Sequence, residues 1–261
     1  METNTNIIGY LLINKPKGYS SFYCIKYLKT FLPKKYKIGH TGTLDPFATG
    51  LLIICIGRQA TKHISDFMNL DKEYVVKAKL GEYTDTLDFT GTIVKSERVP
   101  ALTKENIQQA ITDLGSEYVQ IPPIYSALKY QGKPLYEIAR KESLDQKELE
   151  KIIESKKRTV KLFEIKLLEF DSPYFSFKTR VSKGTYVRSL ANDIAQNLKT
   201  FATTYELERT KIGKLEIKNA IELTDIKDIE DVKKHLISYE DLKKNMTVRG
   251  NPSTGSGRTG C

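Results

Sequence analysis

The chain has 261 residues, 39% of them hydrophobic and 28% charged, which is enough apolar surface for one large domain, with or without an appendage. The longest apolar run, residues 51–56, is too short to cross a bilayer, and the polar N-terminus lacks the basic start of a signal peptide, so we expect a cytoplasmic protein with no membrane partner. The formal charge of +10 favours a polyanionic partner, although many basic proteins bind no nucleic acid.

The first third of the chain predicts a strand, a helix, a polar loop and a second strand. An apolar strand over residues 9–15 stops at a Pro- and Gly-containing turn, and Ser20 or Ser21 can cap the helix that follows. The helix ends at Pro33, and its predicted inner face consists of Phe22, Ile25, Leu28 and Leu32. A loop rich in Gly and Thr over residues 39–50 then leads directly into a buried strand at residues 51–56.

The rest of the chain mixes strands and helices. Strands are predicted at residues 73–80, 160–170, 174–181 and 205–217, and helices at residues 103–114, from about 187 to 198, and, as a polar helix, at 220–242. Residues 120–140, rich in Tyr and Lys, predict a mobile contact element, and residues 141–158 predict an exposed helix or connector. The pattern indicates an α/β or α+β domain in which a sheet is backed by helices.

The three cysteines, Cys24, Cys55 and Cys261, are widely separated and odd in number. They predict neither a disulfide framework nor a CxxC metal site. Cys24 and Cys55 lie in apolar patterns that are typical of a core.

Asp45 is the first candidate for chemistry, because it lies between Leu44 and Pro46 in a loop bounded by glycines. A residue before proline is restricted to extended conformations, which keeps this carboxylate out of a helix. It could act as a nucleophile or as an electrostatic stabiliser if a cation fixed it. An isolated Asp-Pro pair is more typical of an ordinary turn.

The sequence around Asp45 changes this interpretation. Residues 39–52, GHTGTLDPFATGLL, resemble the catalytic motif of TruB tRNA pseudouridine synthases, whose reaction needs no cofactor. The resemblance runs in order over residues 9–223 and includes residues 12–21, 72–74, Gly81 with 84–86, 121–129, 182–188, Leu207 and 209–210. It implies a pseudouridine synthase fold with a large mixed, mostly antiparallel sheet, flanking helices and a thumb-like insertion at about residues 122–155.

The resemblance also implies roles for individual residues. Asp45 matches the aspartate that attacks the target nucleoside, and Arg188 matches the arginine paired with it; a guanidinium lowers a carboxylate's pKa and fixes its orientation. Tyr74 matches the tyrosine that stacks on the flipped uracil and helps to move the C5 proton. His40 matches a histidine that fills the gap left by the extruded base.

Further matches concern support and binding. Tyr186 and Leu207 match residues that line the uracil pocket, and Lys15 with Pro16 matches a motif that packs beside the catalytic loop. On the predicted thumb, Lys129, Tyr130 and Lys133 could bind phosphates and unstacked bases, or could belong to an ordinary surface loop.

Two departures from the family pattern stand out. Glu208 occupies a position that is commonly basic in bacterial members, which puts one local RNA contact in doubt. Bacterial relatives usually continue into an RNA-binding PUA domain, whereas this chain turns polar after Leu242. We therefore expect a catalytic domain at residues 1–245, a flexible tail at 246–261, and a PUA domain that is absent or vestigial.

The implied function is isomerisation of the uridine at position 55 in the T-loop of tRNA, by a monomer that needs no protein partner. Three alternatives stay open: a KH-type RNA-binding module using residues 39–42 as its GxxG loop, a tRNA-folding chaperone, and a guide-RNA-dependent pseudouridine synthase. A KH loop should join two helices, whereas a strand is predicted here. A Walker nucleotide site is excluded because no Gly-Lys-Ser/Thr follows the glycines.

Overall fold

The computed structural model describes residues 7–140 and 146–244; the predicted tail and part of the predicted connector lie outside them. The strands in chain order are β1 Gly9–Lys15, β2 Ile38–His40, β3 Thr49–Ile56, β4 Lys72–Leu80, β5 Glu82–Thr84, β6 Ile93–Ser96, β7 Glu117–Gln120, β8 Lys129–Tyr130, β9 Lys133–Pro134, β10 Arg158–Asp171, β11 Tyr174–Val181, β12 Ala202–Ile212, β13 Leu215–Glu216 and β14 Ile221–Glu222. The α-helices are α1 Ser21–Phe31, α2 Arg58–Thr61, α3 Ile64–Met68, α4 Lys104–Thr112, α5 Leu135–Arg140, α6 Gln146–Glu154, α7 Val187–Asn197, α8 Ile229–Lys234 and α9 Tyr239–Lys244.

A ten-stranded mixed sheet organises the described residues. Its main path runs β14-β1-β3-β12-β4-β11-β10-β7, with β2 added to β3 and β13 to β12. The β1–β14 and β3–β12 pairs are parallel, and the other neighbours are antiparallel. This architecture confirms the predicted α/β class with a large, mostly antiparallel mixed sheet.

Helices cover the sheet where its strands are apolar. Helices α4 and α7 pack on one face of β4, β10 and β11, where Val76, Phe177 and Leu190 are fully buried. The strands β1 and β3 are buried on both faces, because α1 covers one side and the segment around Phe67 covers the other. This two-sided burial explains why residues 51–56 form an uninterrupted apolar run.

Two of the predicted elements need correction. The predicted polar helix over residues 220–242 is wrong: β14 pairs with β1 there, a 3-10 turn follows, and Asp228 caps the separate helix α8. Ile226 and Val232 anchor these short pieces in the core, so tertiary packing overrides the local helical pattern.

The predicted inner face of α1 is also partly wrong. Ile25 and Leu28 are buried as predicted, but Phe22 is 56% exposed, and Ser21 and Cys24 complete the buried face instead. The reason is a pair of hydrogen bonds between the Ser21 hydroxyl and the backbone of Leu44, which turns this side of the helix toward the loop at residues 41–48.

Other predictions agree with the structure. Ser20 caps α1 and Thr103 caps α4 in a capping box. Cys24 and Cys55 are buried and free. Within residues 7–140 and 146–244, no helix combines the length and apolarity needed to cross a membrane.

Candidate active site

A cleft of about 320 Å³ lies where the loop after β2, strands β4 and β12, and the start of α7 meet. Its lining includes five of the residues that the sequence singled out: Asp45, Tyr74, Tyr186, Arg188 and Leu207. These side chains come from four separate segments of the chain. Pairing of β4 with β12 brings Tyr74 and Leu207 together, and the loop after β2 and the start of α7 supply the other three.

Residues 41–48, called here the Asp45 loop, are held by β1, by α1 and by the turn between them. The amide of Gly18 donates to the carbonyl of Pro46 at 2.8 Å, and the buried ammonium of Lys15 donates to the same oxygen at 3.3 Å. The Ser21 hydroxyl accepts from the amide of Leu44 at 2.8 Å. The residues on both sides of Asp45 are therefore fixed by the protein, which orients the carboxylate before any substrate arrives.

A buried arginine of β12 holds the Asp45 loop from the other side. Arg209 donates through Nε to the carbonyl of Leu51 at 2.8 Å and through Nη2 to that of Gly42 at 3.2 Å. Gly50, with φ +111°, packs so closely on β12 that a Cβ would lie 2.4 Å from the carbonyl oxygen of Arg209. Only glycine fits this position, both by its φ and by the space available.

Asp45 and Arg188 form an ion pair at the cleft. Arg188 Nε lies 2.9 Å from Asp45 Oδ2, and Nη2 lies 3.4 Å from Oδ1. The arginine side chain is 3% exposed, whereas that of Asp45 is 34% exposed. A substrate can thus reach the carboxylate while the guanidinium stays behind it.

Arg188 is fixed by more than this pair. Its Nη1 lies 3.3 Å from Oδ2 of the buried Asp88 and also donates to the carbonyl of Thr86, and its Nη2 donates to the carbonyl of Tyr125 at 2.8 Å. Together with Asp45, these groups accept from all three nitrogens of the planar guanidinium. A lysine could not replace this fork of donors.

The electrostatics of Asp45 reflect opposing effects. Burial raises the pKa of Asp45 above its usual value, and the Asp88 carboxylate raises it further, while Arg188 and Lys15 lower it. Desolvation dominates, and Arg188 is the principal group that opposes it by favouring the charged form of Asp45.

Tyr186 is oriented by a side chain that the sequence did not single out. The buried Gln120 accepts from the amide of Tyr186 at 2.7 Å and donates to its carbonyl at 3.1 Å. Gln120 also donates to the hydroxyl of Tyr118, which in turn donates to Asp193 at 2.9 Å. The start of α7, and with it Arg188, is thereby tied to β7.

Three buried polar groups in the cleft wall have no hydrogen-bond partner within the described residues: Thr41 Oγ1, Ser126 Oγ and Arg158 Nε. The Arg158 guanidinium lies 5.1 Å from the centroid of the Tyr186 ring, and a Cβ on Gly184 would approach its carbon to 3.2 Å. One unpaired guanidinium N–H and two unpaired hydroxyls can bind the phosphate and polar edges of a ligand.

The other predicted site residues lie outside the cleft lining. Lys15 is buried beneath the Asp45 loop, and desolvation lowers its pKa to about 8. His40 ends β2, and burial lowers its pKa. Lys129 and Lys133 are exposed on the β8–β9 hairpin, and Tyr130 lies between them. Glu208 does not line the cleft either.

Sequence reasoning missed Asp88, Gln120, Arg158 and Arg209 as contributors to the site. Asp88 lies two residues beyond the matched segment 84–86, and Arg209 lies within a matched segment, so both had a signal close by. Gln120 and Arg158 had none, because their importance arises from contacts between β7, β10 and α7. In the described part of the chain, no three His, Cys, Asp or Glu residues cluster as metal ligands.

Comparisons with known proteins identify the family of the chain. Residues 29–187, which include Asp45, Tyr74 and Tyr186, match the model of the TruB family pseudouridylate synthase N-terminal domain. This chain belongs to the TruB family. Among TruB relatives, the tRNA pseudouridine synthase B of Clostridium tetani is 41% identical over 232 residues, which is 89% of this chain and 76% of the relative. That of Francisella tularensis subsp. novicida is 42% identical over 229 residues, or 87% and 72%.

Solved structures extend the likeness of this TruB-family chain to more distant proteins. A Cbf5-Nop10-Gar1 complex matches with a TM-score of 0.61 and 26% identity, over 83% of this chain and 53% of the matched chain. An H/ACA RNP bound to a substrate RNA containing 2'-deoxyuridine matches with a TM-score of 0.60 and 24% identity, over 84% and 52%. The chain spans about half the length of these two structural neighbours.

Proposed function

We propose that the protein is a tRNA pseudouridine(55) synthase that isomerises a uridine in the T-loop of tRNA. The observation that carries the proposal is the Asp45–Arg188 ion pair, 2.9 Å long, with the carboxylate accessible from a cleft and the guanidinium buried behind it. The relatives named tRNA pseudouridine synthase B, at 41% and 42% identity, support tRNA as the substrate.

The proposed reaction begins with extrusion of the target uridine into the cleft, because a stacked nucleotide hides its glycosidic bond. Asp45 attacks C1' as the C1'–N1 bond breaks. The detached uracil then turns, and C5 bonds to C1' as the Asp45–C1' bond breaks and frees the carboxylate. The proton on C5 then leaves and N1 gains one, which balances the isomerisation. Arg188 keeps Asp45 ionised and oriented in these steps.

We assign the remaining cleft residues to holding the base and backbone. Tyr74 stacks on the flipped uracil and assists removal of the C5 proton, while Tyr186 and Leu207 complete the pocket wall. His40 occupies the vacated place in the RNA stack. Arg158 is suited to a phosphate next to the target nucleotide, because its guanidinium lies in the cleft wall with Nε unpaired among the described residues.

The domain organisation belongs to the same proposal. Residues 1–245 would form the catalytic domain, and the segment at about 122–155, with Lys129 and Lys133 on its hairpin, would act as a thumb against RNA. The protein would work in the cytoplasm as a monomer, without an obligatory protein partner.

Tritium release from C5-labelled uridine in a T-arm minihelix tests the proposal. Wild type should release the label, and Asp45→Asn, which keeps the shape but removes the charge, should not. Asp113→Asn on the exposed end of α4 is the matched control and should behave as wild type. Absence of release by wild type, with the minihelix bound, would contradict the proposal.

A guide-RNA-dependent synthase is the second candidate, favoured by the structural similarity to the Cbf5 complex. The matched chain of that complex is 26% identical to this chain, whereas the tRNA pseudouridine synthase B of Clostridium tetani is 41% identical. Turnover of bare tRNA transcript by the purified protein, without guide RNA or added proteins, would support the stand-alone enzyme. Turnover that requires an added guide RNA would support the second candidate.

A further inference from the structure

The first turn of helix α1 and the residue before its N-cap expose three large aromatic side chains next to the candidate active site. Tyr19 is 44% exposed, Phe22 56% and Tyr23 38%. The rings of Tyr19 and Tyr23 stack with centroids 4.4 Å apart, and the Lys26 ammonium lies 5.4 Å from the centroid of the Phe22 ring. Clustered aromatic rings on a solvent face are unusual for a helix whose opposite side already packs on the core, and they mark a binding surface.

The sequence segment that contains α1 carries charged side chains of positive sign only. Residues 7–44 contain no Asp or Glu, and their lysines are Lys15, Lys17, Lys26, Lys29, Lys34, Lys35 and Lys37. All of these except Lys15 are exposed. We call Tyr19, Phe22, Tyr23, Lys26 and Lys29 the α1 surface.

The combination of rings and cations favours RNA over a protein partner. Aromatic rings stack on unpaired bases and lysines bind the phosphates beside them, which is the composition of single-strand nucleic-acid platforms. Two copies of the α1 surface facing each other would bring like charges together, which disfavours self-association.

The α1 surface is continuous with the Asp45 loop. The Lys15 ammonium donates to the carbonyl of Tyr19 at 2.7 Å and reaches Pro46 with the same group, while Ser21 binds the backbone of Leu44. From that junction α1 extends about 16 Å, at 1.5 Å per residue. RNA held in the cleft therefore has a basic, aromatic path leading away from the catalytic carboxylate.

We propose that the α1 surface binds unpaired nucleotides of the substrate tRNA outside the cleft, with bases stacked on Tyr19 and Phe22 and phosphates on Lys26 and Lys29. This proposal rests on the proposed function, because it takes tRNA as the ligand. It assigns α1 to affinity and leaves the chemical step to the cleft.

The test measures the Kd of an unmodified tRNA transcript and the single-turnover rate at saturating tRNA. Phe22→Ala and Tyr19→Ala should each raise Kd about 10-fold, the effect of losing one base stack, and leave the saturated rate unchanged. Phe163→Ala is the matched control, because Phe163 is 48% exposed on β10 with the Arg180 guanidinium 5.1 Å from its ring centroid. It should change neither quantity.

Salt dependence supplies a second measurement. Replacing both Lys26 and Lys29 by Gln should lower the slope of log Kd against log salt by about 1.4, because each single-strand phosphate contact contributes about 0.7. Unchanged Kd in both aromatic variants would overturn the proposal, as would sedimentation showing that Phe22→Ala dissociates an oligomer without changing tRNA affinity. These results are distinguishable from failure of the proposed function, in which wild type binds tRNA and forms no pseudouridine.

Discussion

Replacement of Arg188 tests whether the guanidinium sets the charge of Asp45 or only its position. Arg188→Met leaves the partly exposed Asp45 and the buried Asp88 without their shared cation. Breaking a buried ion pair lowers the free energy of unfolding by about 3–5 kcal/mol. Because Asp45 is partly exposed to water, we expect a loss of about 3 kcal/mol here. At about 2–4 °C per kcal/mol, Tm should fall by about 6–12 °C.

The pH dependence of activity gives the sharper result. Burial raises the pKa of Asp45 and Arg188 lowers it, so loss of Arg188 moves that pKa further upward. The ionised fraction of Asp45 at neutral pH then falls, and the acid limb of kcat/KM should shift to higher pH. Arg188→Lys keeps the positive charge but cannot reach both carboxylates and both carbonyls, so we expect kcat/KM to fall about 100-fold with little displacement of the limb.

The assay is tritium release from a T-arm minihelix between pH 5 and 9, with each variant's fold checked by its unfolding transition. Adding Asp88→Asn to Arg188→Met removes a carboxylate that also raises the pKa of Asp45, so the limb should move back toward that of wild type. An acid limb for Arg188→Met that coincides with that of wild type would refute the electrostatic role.

Two further predictions concern stability. Gly50→Ala should lower the free energy of unfolding, measured by urea denaturation, by more than about 4 kcal/mol, because the added Cβ meets the backbone of β12. Gly115→Ala is the control: its φ is also positive but nothing lies within 4 Å of the added Cβ, so it should lower the free energy of unfolding by only about 1 kcal/mol. Burial raises the pKa of Asp193 from 3.8 to about 6, so the folded state holds more protons between those values and stability falls as pH rises through them. Asp193→Asn should therefore stabilise the fold at pH 8 by up to about 3 kcal/mol, with the gain lost by about pH 4, and an equal gain at both pH values would contradict this account.

Much of the architecture was readable from local patterns, because periodicity and caps dominate where one face of an element packs on the core. Strand β4 alternates as predicted, and Thr103 caps α4 as predicted. The helix predicted over residues 220–242 was wrong because tertiary contacts decide the structure there: its short elements are held by β1 and by single buried residues such as Ile226. Such contacts cannot be predicted from the spacing of apolar residues.

Some residues of the candidate site could be predicted from the sequence and others could not. Asp45 and Arg188 were found because they lie in motifs, and Phe22 was misassigned because its spacing fits a core helix while the hydroxyl of Ser21 sets the actual orientation. Gln120 acts through the backbone of a residue far along the chain. A contact of that kind leaves no trace in the local sequence.

The bonds made by Arg188 join segments that are 63 to 143 residues apart along the chain. These bonds can form only after strands that are distant in the sequence have paired, and such pairing is slow compared with the formation of helices and hairpins. A compact intermediate with most of its secondary structure would accordingly hold Asp45 without its cation. Turnover is therefore a reporter of completed tertiary assembly, and during refolding it should recover after the far-ultraviolet circular dichroism signal.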